Sequence, residues 1–389
     1  MKVVIVGGGA VGSSAAYHLA INPRFKGSIT VIERDPTYRI ASSSLSASSI
    51  RTQFSNPVNI RMSQFGMRFL KAAPEALAVD GDRPGLSLHE RGYLFLASEA
   101  GAEAMRANHA VQSAEGADIE LMTPAQIVAR YPWINPDGIA LGAHGRSGEG
   151  WFDGPGLLAA LRRKARSLGV TYLPRDAVGV RRQGDLVSHV VLDDGAEVEA
   201  DVVVNSAGPW SARVASWVGI DLPVVARRRS VFVVQCKTPL PGCPMLIDAK
   251  GNFFRPEGPG YITGRSPGEG EPDPDFAPLE VEEDMWMEYV WPELAHRIPA
   301  TEEIKRTGAW VGYYEFNTFD HNGVVGLHPG CANMVFATGF SGHGMQHSPA
   351  SGRGVSELIV DGGFSTLDLS PLGWKRMLDG TPLVEGNIW

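Results

Sequence analysis

The chain has 389 residues and a formal charge of −8 at pH 7, with 43% hydrophobic and 20% charged residues. This composition is that of a soluble globular protein long enough for two domains, and the negative balance gives no basic face for nucleic acid or anionic lipid. Three scattered cysteines without CxxC spacing argue against a disulfide framework or a zinc site. No apolar run approaches about eighteen residues and the first predicted strand begins at residue 2. We therefore expect a cytoplasmic protein without membrane insertion or a targeting segment.

The first 34 residues predict a βαβ unit that binds a dinucleotide. Lys2 to Val6 is a β-branched run typical of a buried parallel strand, and a helix is predicted over 11–19. Between them lies G-x-G-x-x-G spacing, whose glycines let the backbone and the helix N-terminus approach a pyrophosphate. A second strand, Ile29 to Glu33, ends in an acid that can accept both ribose hydroxyls, so FAD or NAD is expected rather than NADP. The residues expected at the cofactor here are Gly7, Gly9, Ala10, Val11, Gly12, Glu33 and Arg34.

The next segment, Ala41 to Arg51, is dense in small hydroxyl residues. Composition alone would make it a flexible linker. Its position favours a site, because a loop leaving the carboxyl end of the second strand enters the crevice where α/β sheets bind ligands. We expect Ser43, Ser44 and Ser49 near the cofactor and Arg51 as a cation at the mouth of the site, with a plain surface arginine as the alternative.

A helix is predicted from Pro57 to Ala78, broken by Pro74, and then a strand at 89–97 and two helices at 99–114 and 123–130 begin a second domain. The first domain resumes near Gly150 with a helix ended by Gly169, a strand at 170–173 and a hairpin over 187–198. A second buried strand, 200–208, ends in small residues that let a loop approach the dinucleotide. The expected contacts there are Ala207, Gly208 and Trp210.

The second domain returns at Pro223. The basic run Arg227 to Arg229 opens a strand and is interpreted as a solvated edge. Turns rich in glycine and proline separate further short strands, which together predict an antiparallel sheet. An amphipathic helix is predicted over Glu280 to Leu294, and a last strand over Trp310 to Phe316. This sheet would form a roof over a site built by the first domain.

A third buried strand, Asn333 to Phe340, ends in small residues and precedes a helix that runs to Val360. The N-terminus of that helix would favour negative charge on a reduced flavin. His343 and His347 are four residues apart, but His343 precedes the helix and no third ligand is apparent, so no metal is expected. The residues expected at the cofactor are Gly339, Ser341, Gly342, His343, Gly344, Met345 and Gln346.

These features occur in an order that resembles the FAD-dependent D-amino-acid oxidase and sarcosine oxidase superfamily. The resemblance covers nearly the whole chain, and Gly339 to Gly344 is its most specific part. The chain is similar to the branch that includes a mitochondrial FAD-dependent oxidoreductase domain protein of respiratory complex I assembly, through segments 310–320, 340–353 and 367–371. The resemblance implies an α/β fold, with a glutathione-reductase-like FAD-binding Rossmann domain and an α+β substrate domain whose antiparallel sheet covers the flavin. We expect residues 1–80, 141–222 and 321–389 in the FAD-binding domain and residues 81–140 and 223–320 in the substrate domain.

The resemblance also assigns candidate catalytic residues. Arg51 is similar to the arginine that sarcosine oxidases use for the substrate carboxylate, and His343 to a histidine beside the flavin. Tyr313 stands where the covalent-flavin enzymes have a cysteine, so FAD is expected to be non-covalent. Ile262 replaces the lysine near the flavin N5 that promotes reaction with oxygen, and Gln346 replaces a second carboxylate-binding cation. The tyrosines expected to roof the flavin or contact the substrate are Tyr261, Tyr313 and Tyr314.

The implied activity is FAD-dependent oxidation of the carbon–nitrogen bond of an amino acid or N-substituted glycine. A neutral amine held by Arg51 passes a hydride to the flavin N5, and the imine hydrolyses. Sarcosine, dimethylglycine, iminodiacetate and D-amino acids are all candidate substrates, and O2 or another acceptor reoxidises the flavin. Two alternatives stay open: an FAD-binding assembly or scaffold protein with little turnover, and a dehydrogenase that feeds a quinone or a protein. A redox partner or self-association into a homo-oligomer is also left open.

Overall fold

The structure is a computed structural model that describes residues 1–268 and 270–387. Its strands are β1 Lys2–Val6, β2 Ser28–Ile32, β3 Ser49–Ile50, β4 Tyr93–Ala97, β5 Ile119–Met122, β6 Leu141–Gly145, β7 Gly150–Trp151, β8 Thr171–Leu173, β9 Ala177–Gln183, β10 Leu186–Leu192, β11 Glu197–Glu199, β12 Val202–Asn205, β13 Val224–Gln235, β14 Met245–Ile247, β15 Phe253–Glu257, β16 Gly260–Gly264, β17 Lys305–Asn317, β18 Val324–His328 and β19 Cys331–Thr338. Its α-helices are α1 Ala10–Ile21, α2 Ser42–Leu45, α3 Pro57–Ala76, α4 Glu99–Ala114, α5 Pro124–Arg130, α6 Gly154–Ser167, α7 Ser211–Ser216, α8 Trp291–Arg297, α9 Gly344–Asp361 and α10 Lys375–Leu378.

A six-stranded sheet forms the base of the molecule, in the order β18-β19-β12-β1-β2-β8. β1 lies parallel to both β2 and β12, and β19 extends the parallel set, whereas β18 pairs antiparallel at one edge. Val3 to Val6 are buried because both faces of the sheet are covered. The carboxyl ends of β1, β12 and β19 therefore meet at one edge of the sheet, where α/β folds bind ligands.

Helices α1 and α9 lie against each other on one face of this sheet. A Cβ at Gly352 would lie 2.3 Å from Ser14 Oγ, so the glycine allows the two backbones to approach closely. α1 follows β1, and α9 follows β19. Because those strands are parallel, both helices present their N-termini to the same edge of the sheet.

An eight-stranded sheet covers that edge, in the order β17-β13-β16-β15-β14-β4-β6-β5. It is largely antiparallel, with one parallel pair between β14 and β4. One of its faces packs on α5 and α8 through a core that includes Phe232, Phe254 and Leu294. β6, Leu141–Gly145, belongs to this sheet. The FAD-binding domain was predicted to resume at residue 141, which is therefore one strand too early.

Three local predictions differ from the structure. α3 continues through Pro74 to Ala76, which is tolerated because the proline stands in the last turn, where little helix remains to be disrupted. The predicted helix 280–294 instead begins as a π-helical turn, Met285–Val290, ahead of α8, whose first turn carries Pro292. Arg227, Arg228 and Arg229 are not a solvated edge, since their side chains are only 20%, 19% and 15% exposed and form ion pairs.

Within the part of the chain that the structure describes, no helix is long and apolar enough to cross a bilayer.

Candidate active site

A cavity lies between the carboxyl edge of the six-stranded sheet and the inner face of the larger sheet. Its lining comes from the turns after β1, β2, β12 and β19 on one side and from β13, β14 and β17 on the other. Most of the predicted site residues line it: Gly7, Gly9, Ala10, Val11, Glu33, Arg34, Ser43, Ser49, Arg51, Ala207, Gly208, Trp210, Tyr313, Gly342, His343, Gly344, Met345 and Gln346.

The glycine turn after β1 is shaped by two distinct constraints. Gly7 has φ +97°, and a Cβ there would lie 2.4 Å from the carbonyl oxygen of Ser206. At Gly9 a Cβ would meet only Ser43 Oγ, at 3.1 Å, so the space in front of Gly9 is open toward the cavity. Gly9 caps α1 without any side-chain hydrogen bond, and although the N–H of Ala10 donates to Ser43 Oγ, the N–H groups of Val11 and Gly12 in the same turn remain available to an anion.

Glu33 connects this turn to the end of β2. Its carboxylate accepts hydrogen bonds from the backbone N–H of Gly8 at 2.8 Å and of Asp35 at 3.0 Å. Burial raises the pKa of Glu33, and these two backbone hydrogen bonds oppose that rise. Next to it, the guanidinium of Arg34 lies 3.6 Å from the ring centroid of Trp210, a cation–π contact across the cavity wall.

The serine-rich segment is ordered against the cavity and is not a free linker. Residues 42–45 form α2, and β3 pairs with β7. Ser43 Oγ accepts a hydrogen bond from the N–H of Ala10 at 2.9 Å, which ties the segment to the start of α1. Ser42 also lines the cavity, and its buried Oγ has no hydrogen-bond partner among the described residues.

Arg51 is buried, with 4% of its surface exposed, and its guanidinium carbon lies 4.0 Å from the ring centroid of Phe54. The guanidinium donates to the backbone carbonyls of Gln53 and Asn387. Burial lowers the pKa of Arg51, but an arginine stays protonated at neutral pH. Across residues 1–268 and 270–387, no carboxylate forms an ion pair with it, although the charges of Glu385 and Glu149 act on it and raise its pKa. Among the described residues, the cavity therefore contains a buried positive charge that has no ion-pair partner.

The two histidines near α9 are neutral neighbours of this charge. His343 Nε2 lies 3.4 Å from a terminal nitrogen of Arg51, and burial and then the Arg51 charge hold the pKa of His343 well below its usual range. Burial also lowers the pKa of His347 to about 3, and Ser63 Oγ lies 3.1 Å from its Nε2. Among the described residues, no group of three or more His, Cys, Asp or Glu side chains could hold a metal ion.

Tyr261 was expected at the flavin but lies on the opposite face of the larger sheet. It pairs with Val234, whose side chain belongs to the core on that face, and its ring stacks on Phe254 at 4.6 Å between centroids. On β13 the cavity is lined by Arg229 and Val231, whose side chains alternate with that of Val234, and by Ser230 between them. Because side chains alternate along a strand, Tyr261 points away from the cavity.

Four other predicted residues support the cavity from behind and do not line it: Gly12, Ser44, Gly339 and Ser341. A Cβ at Gly12 would lie 2.0 Å from the carbonyl oxygen of Gly7, so this glycine lets α1 pack on the turn. Gly339 has φ +76°, and Ser341 Oγ accepts from the N–H of Asn317 at 3.0 Å. These positions shape the turn between β19 and α9.

Several cavity residues were not identified from the sequence. Tyr93 comes from β4, and Arg229 donates to Asp273 through two hydrogen bonds of 2.9 Å and to the hydroxyl of Tyr314 at 2.7 Å. Behind the cavity, the buried Glu149 accepts from the N–H of Thr52 at 2.6 Å and from Gln53 Nε2 at 2.9 Å. None of these residues stands in a motif. The one signal in the sequence is the basic run Arg227–Arg229, because three charges inside an apolar strand indicate side chains that are paired within the fold.

The fold and the cavity define a dinucleotide-binding protein: open space at a glycine turn, a helix N-terminus without a side-chain cap and an acid at the end of β2 fit the ligand. The family model described as "DAO: FAD dependent oxidoreductase" matches residues 2–358, and the chain belongs to this family. FAD is the cofactor of the family, and the chain is an enzyme of this class.

Similar proteins fall into two groups. The chain is 47% identical over 421 residues to "FAD-dependent oxidoreductase domain-containing protein 1" of Xenopus laevis, covering 99% of this chain and 84% of that protein. It is 26% identical over 411 residues to the mitochondrial dimethylglycine dehydrogenase of Rattus norvegicus, covering 95% of this chain and 44% of that protein. Among solved structures, L-proline dehydrogenase from P. horikoshii superposes with a TM-score of 0.86 at 24% identity, covering 98% of each chain.

Proposed function

We propose that this chain oxidises the carbon–nitrogen bond of a small carboxylated amine. The observation that carries the proposal is Arg51, a buried cation without a carboxylate partner among the described residues, placed in the same cavity as the cofactor turn. A buried charge is costly unless it is paired, so the site favours an anionic group on its ligand. A carboxylate matches the planar fork of a guanidinium through charge-assisted hydrogen bonds.

The residues that would hold FAD extend from the glycine turn to α9. The N-terminus of α1 and Gly9 would take the pyrophosphate, Glu33 the ribose, and the N-terminus of α9 the flavin. When bound, FAD supplies the acceptor for the hydride. No cysteine would bond covalently to FAD, because Cys236, Cys243 and Cys331 do not line the cavity.

The chain itself would position the amine and exclude water. Met245, Ile247 and Phe253 give the substrate end an apolar wall, and Arg51 would fix the carboxylate. His343 is neutral, so it adds no second positive charge beside Arg51. Because a neutral amine needs no strong base to lose its α-hydrogen as hydride, positioning accounts for most of what the side chains do.

Two relatives support this substrate class by their names. The rat protein is a dehydrogenase of dimethylglycine and the P. horikoshii structure a dehydrogenase of L-proline, and each of these substrates is an amine that carries a carboxylate. This common chemistry, rather than either particular substrate, is what we propose for the present chain.

A dehydrogenase that passes electrons to a quinone or a protein is the second candidate. Among the described residues that line the cavity there is no lysine. Ile262, the residue aligned with the oxygen-activating lysine, is fully buried in β16. A low yield of peroxide per substrate oxidised in air, with fast turnover on a quinone analogue, would favour the dehydrogenase over the oxidase.

Anaerobic reduction of the bound flavin tests the proposal. Sarcosine, dimethylglycine, proline and D-alanine would each be mixed with the holoenzyme, and bleaching of the flavin absorbance recorded. Dimethylamine and pyrrolidine, which lack the carboxylate, are matched controls. We expect bleaching by at least one carboxylated amine and slower bleaching by its control. No bleaching by any amine would instead favour an FAD-binding assembly or scaffold role.

A further inference from the structure

Residues 383–387, here called the C-terminal strap, cross the start of α3 and end at Arg51. They form no helix or strand. The strap is nevertheless held at three points, two of which are buried carboxylates.

The first point is Glu385, which is fully buried. Its carboxylate accepts from the N–H of Ser55 at 2.8 Å, the hydroxyl of Ser55 at 2.7 Å and the amide of Asn59 at 2.9 Å. The N–H and the amide of Asn56 add two more hydrogen bonds, at 3.2 and 3.1 Å. Glu385 therefore satisfies the donors at the start of α3, and among the described residues it forms no ion pair, although its charge acts on Arg51.

The second point is Asp320, whose carboxylate pairs with Arg376 at 2.6 Å. Asp320 accepts from the N–H of Leu383 through its side chain at 3.1 Å and from the N–H of Glu385 through its backbone at 3.0 Å. Asp320 therefore holds the strap at Leu383 and Glu385.

The third point is Asn387 itself. Its side-chain amide donates to the carbonyl of Gln53 at 3.1 Å, and its own backbone carbonyl accepts from Arg51. The carbonyl of Gln53 accepts from Arg51 as well. Two neutral oxygens thus hold the guanidinium, one from Gln53, two positions after Arg51, and one from the strap.

The chemistry of these acceptors matters. A carboxylate in their place would neutralise Arg51, whereas a carbonyl fixes the direction of the N–H groups and leaves the positive charge for a ligand. The two carboxylates whose charges act on Arg51, Glu149 and Glu385, each accept hydrogen bonds from amides and hydroxyls instead. A long side chain that is already held loses less freedom when it binds.

We propose that residues 385–387, the last three residues of the strap, are a positioning element of the substrate-carboxylate site: they orient the Arg51 guanidinium through the Asn387 carbonyl and, among the described residues, leave it without an ion pair. This rests on the proposed function in one respect, that Arg51 receives the carboxylate. The strap is then a part of the site contributed by a segment 336 positions away from Arg51 along the chain.

The test compares the full chain with two variants, a chain terminated after Thr381, which lacks the strap, and Glu385→Ala, which keeps the strap but removes its buried anchor. Val384→Ala is the matched control, because that side chain is 53% exposed. The probes are benzoate and uncharged benzamide, titrated into each holoenzyme and followed by the change in flavin absorbance. The steady-state constants for a reducing amine give a second readout.

We expect both variants to raise the Kd for benzoate and the KM for the amine at least tenfold, with the Kd for benzamide, the FAD content and kcat within about twofold of the full chain. Val384→Ala should match the full chain. Unchanged or tighter benzoate binding in both variants would overturn the proposal, the latter because it would make the strap an inhibitor. If the truncated chain loses FAD, Glu385→Ala decides alone. If no amine reduces the flavin, the proposed function fails, but the comparison of benzoate with benzamide still decides on the strap.

Discussion

The carboxylate of Glu33 accepts a hydrogen bond from the backbone N–H of Gly8, 25 positions earlier in the chain, at 2.8 Å. The contact joins the end of β2 to the turn after β1, so that the residue expected to bind the ribose also fixes the turn expected to bind the pyrophosphate. A second hydrogen bond, from the N–H of Asp35 at 3.0 Å, occupies the other oxygen. Each oxygen keeps a further lone pair for a ribose hydroxyl.

We predict that Glu33→Gln weakens FAD binding at least tenfold. A hydrogen bond to a charged group contributes about 1.5–3 kcal/mol, and 1.4 kcal/mol corresponds to a tenfold change in Kd. Fluorescence titration of the apoprotein with FAD measures the effect. Glu303→Gln, whose side chain is 84% exposed, is the control and should leave the Kd unchanged. Equal Kd values for both variants would remove Glu33 from the cofactor site.

Substitution of Gly9 and of Gly12, at the start of α1, should affect FAD affinity and folding stability differently. A Cβ at Gly9 meets only Ser43 Oγ, at 3.1 Å, so Gly9→Ala should fold but lose FAD affinity because the methyl group occupies the space in front of the turn. A Cβ at Gly12 would lie 2.0 Å from the carbonyl oxygen of Gly7, so Gly12→Ala should lower the Tm of the apoprotein as well. Thermal unfolding with and without FAD separates the two. A Gly9→Ala protein that binds FAD normally would contradict this placement of the cofactor.

The architecture of the cofactor half could be predicted because its signals are local. β1, the glycine spacing and β2 lie within one stretch, and buried parallel strands have an apolar pattern without alternation. The same reasoning fails at element ends that depend on packing, as at Pro74 and at the π-helical turn before α8. The boundary at 141 was also missed, because β6 joins its sheet by pairing with β4 and β5, which the sequence does not reveal.

The substrate end of the cavity could be predicted only in part. Arg51 and His343 were placed at the site from their positions after predicted strands, the resemblance supplied their roles, and the two side chains lie together. Tyr261 was assigned to the wrong face, because a one-residue shift in register reverses the direction of a strand side chain. The strap could not be found from the sequence at all. Its contacts with Ser55 and Arg51 span more than 300 positions, and its residues carry no motif.

Substitution of Arg51 should separate substrate binding from cofactor binding. Truncating one partner of a buried charge pair costs about 2–5 kcal/mol, so we predict that Arg51→Ala raises KM for the carboxylated amine about 30-fold or more, with FAD still bound. Arg51→Lys keeps the charge without the planar fork, so its KM should lie between those of wild type and Arg51→Ala. Steady-state kinetics on the substrate found by flavin reduction measure this. A KM within twofold of wild type in Arg51→Ala would exclude Arg51 from the substrate site.

The acid stability of the chain should depend on Glu357. Burial alone would raise the pKa of this carboxyl, but hydrogen bonds from Thr366, Ser365 and Arg353 lower it to about 2. A carboxyl whose pKa is lower in the folded state stabilises the protein above its unfolded pKa, near 4.5, and loses this contribution as the pH falls toward 2. We predict that Glu357→Gln lowers the free energy of unfolding by about 2 kcal/mol at pH 7, since 1 pKa unit corresponds to about 1.4 kcal/mol and the Arg353 partner is partly screened by solvent.

The effect of Glu357→Gln should shrink between pH 4.5 and pH 2, where wild type loses the same interaction. Urea unfolding at several pH values measures the difference. Glu303→Gln serves again as the exposed control. A difference between Glu357→Gln and wild type that is constant from pH 7 to pH 3 would show that the lost stability comes from packing and not from ionisation.

Tyr261 and Tyr313 provide a paired test of which sheet face covers the cavity. Tyr313 lines the cavity, and its hydroxyl donates to the carbonyl of Ala277 at 2.6 Å, which ties the segment after β16 to β17. Tyr313→Phe loses this hydrogen bond, a net contribution of about 0.5–1.5 kcal/mol to holding the cavity wall together. If FAD binding depends on that wall, FAD should dissociate about three- to tenfold faster. Tyr261→Phe changes a hydroxyl on the far face, so its FAD dissociation rate and kcat/KM should match wild type. The reverse pattern, with Tyr261→Phe the more damaged variant, would mean that the inner face of the larger sheet has been wrongly assigned.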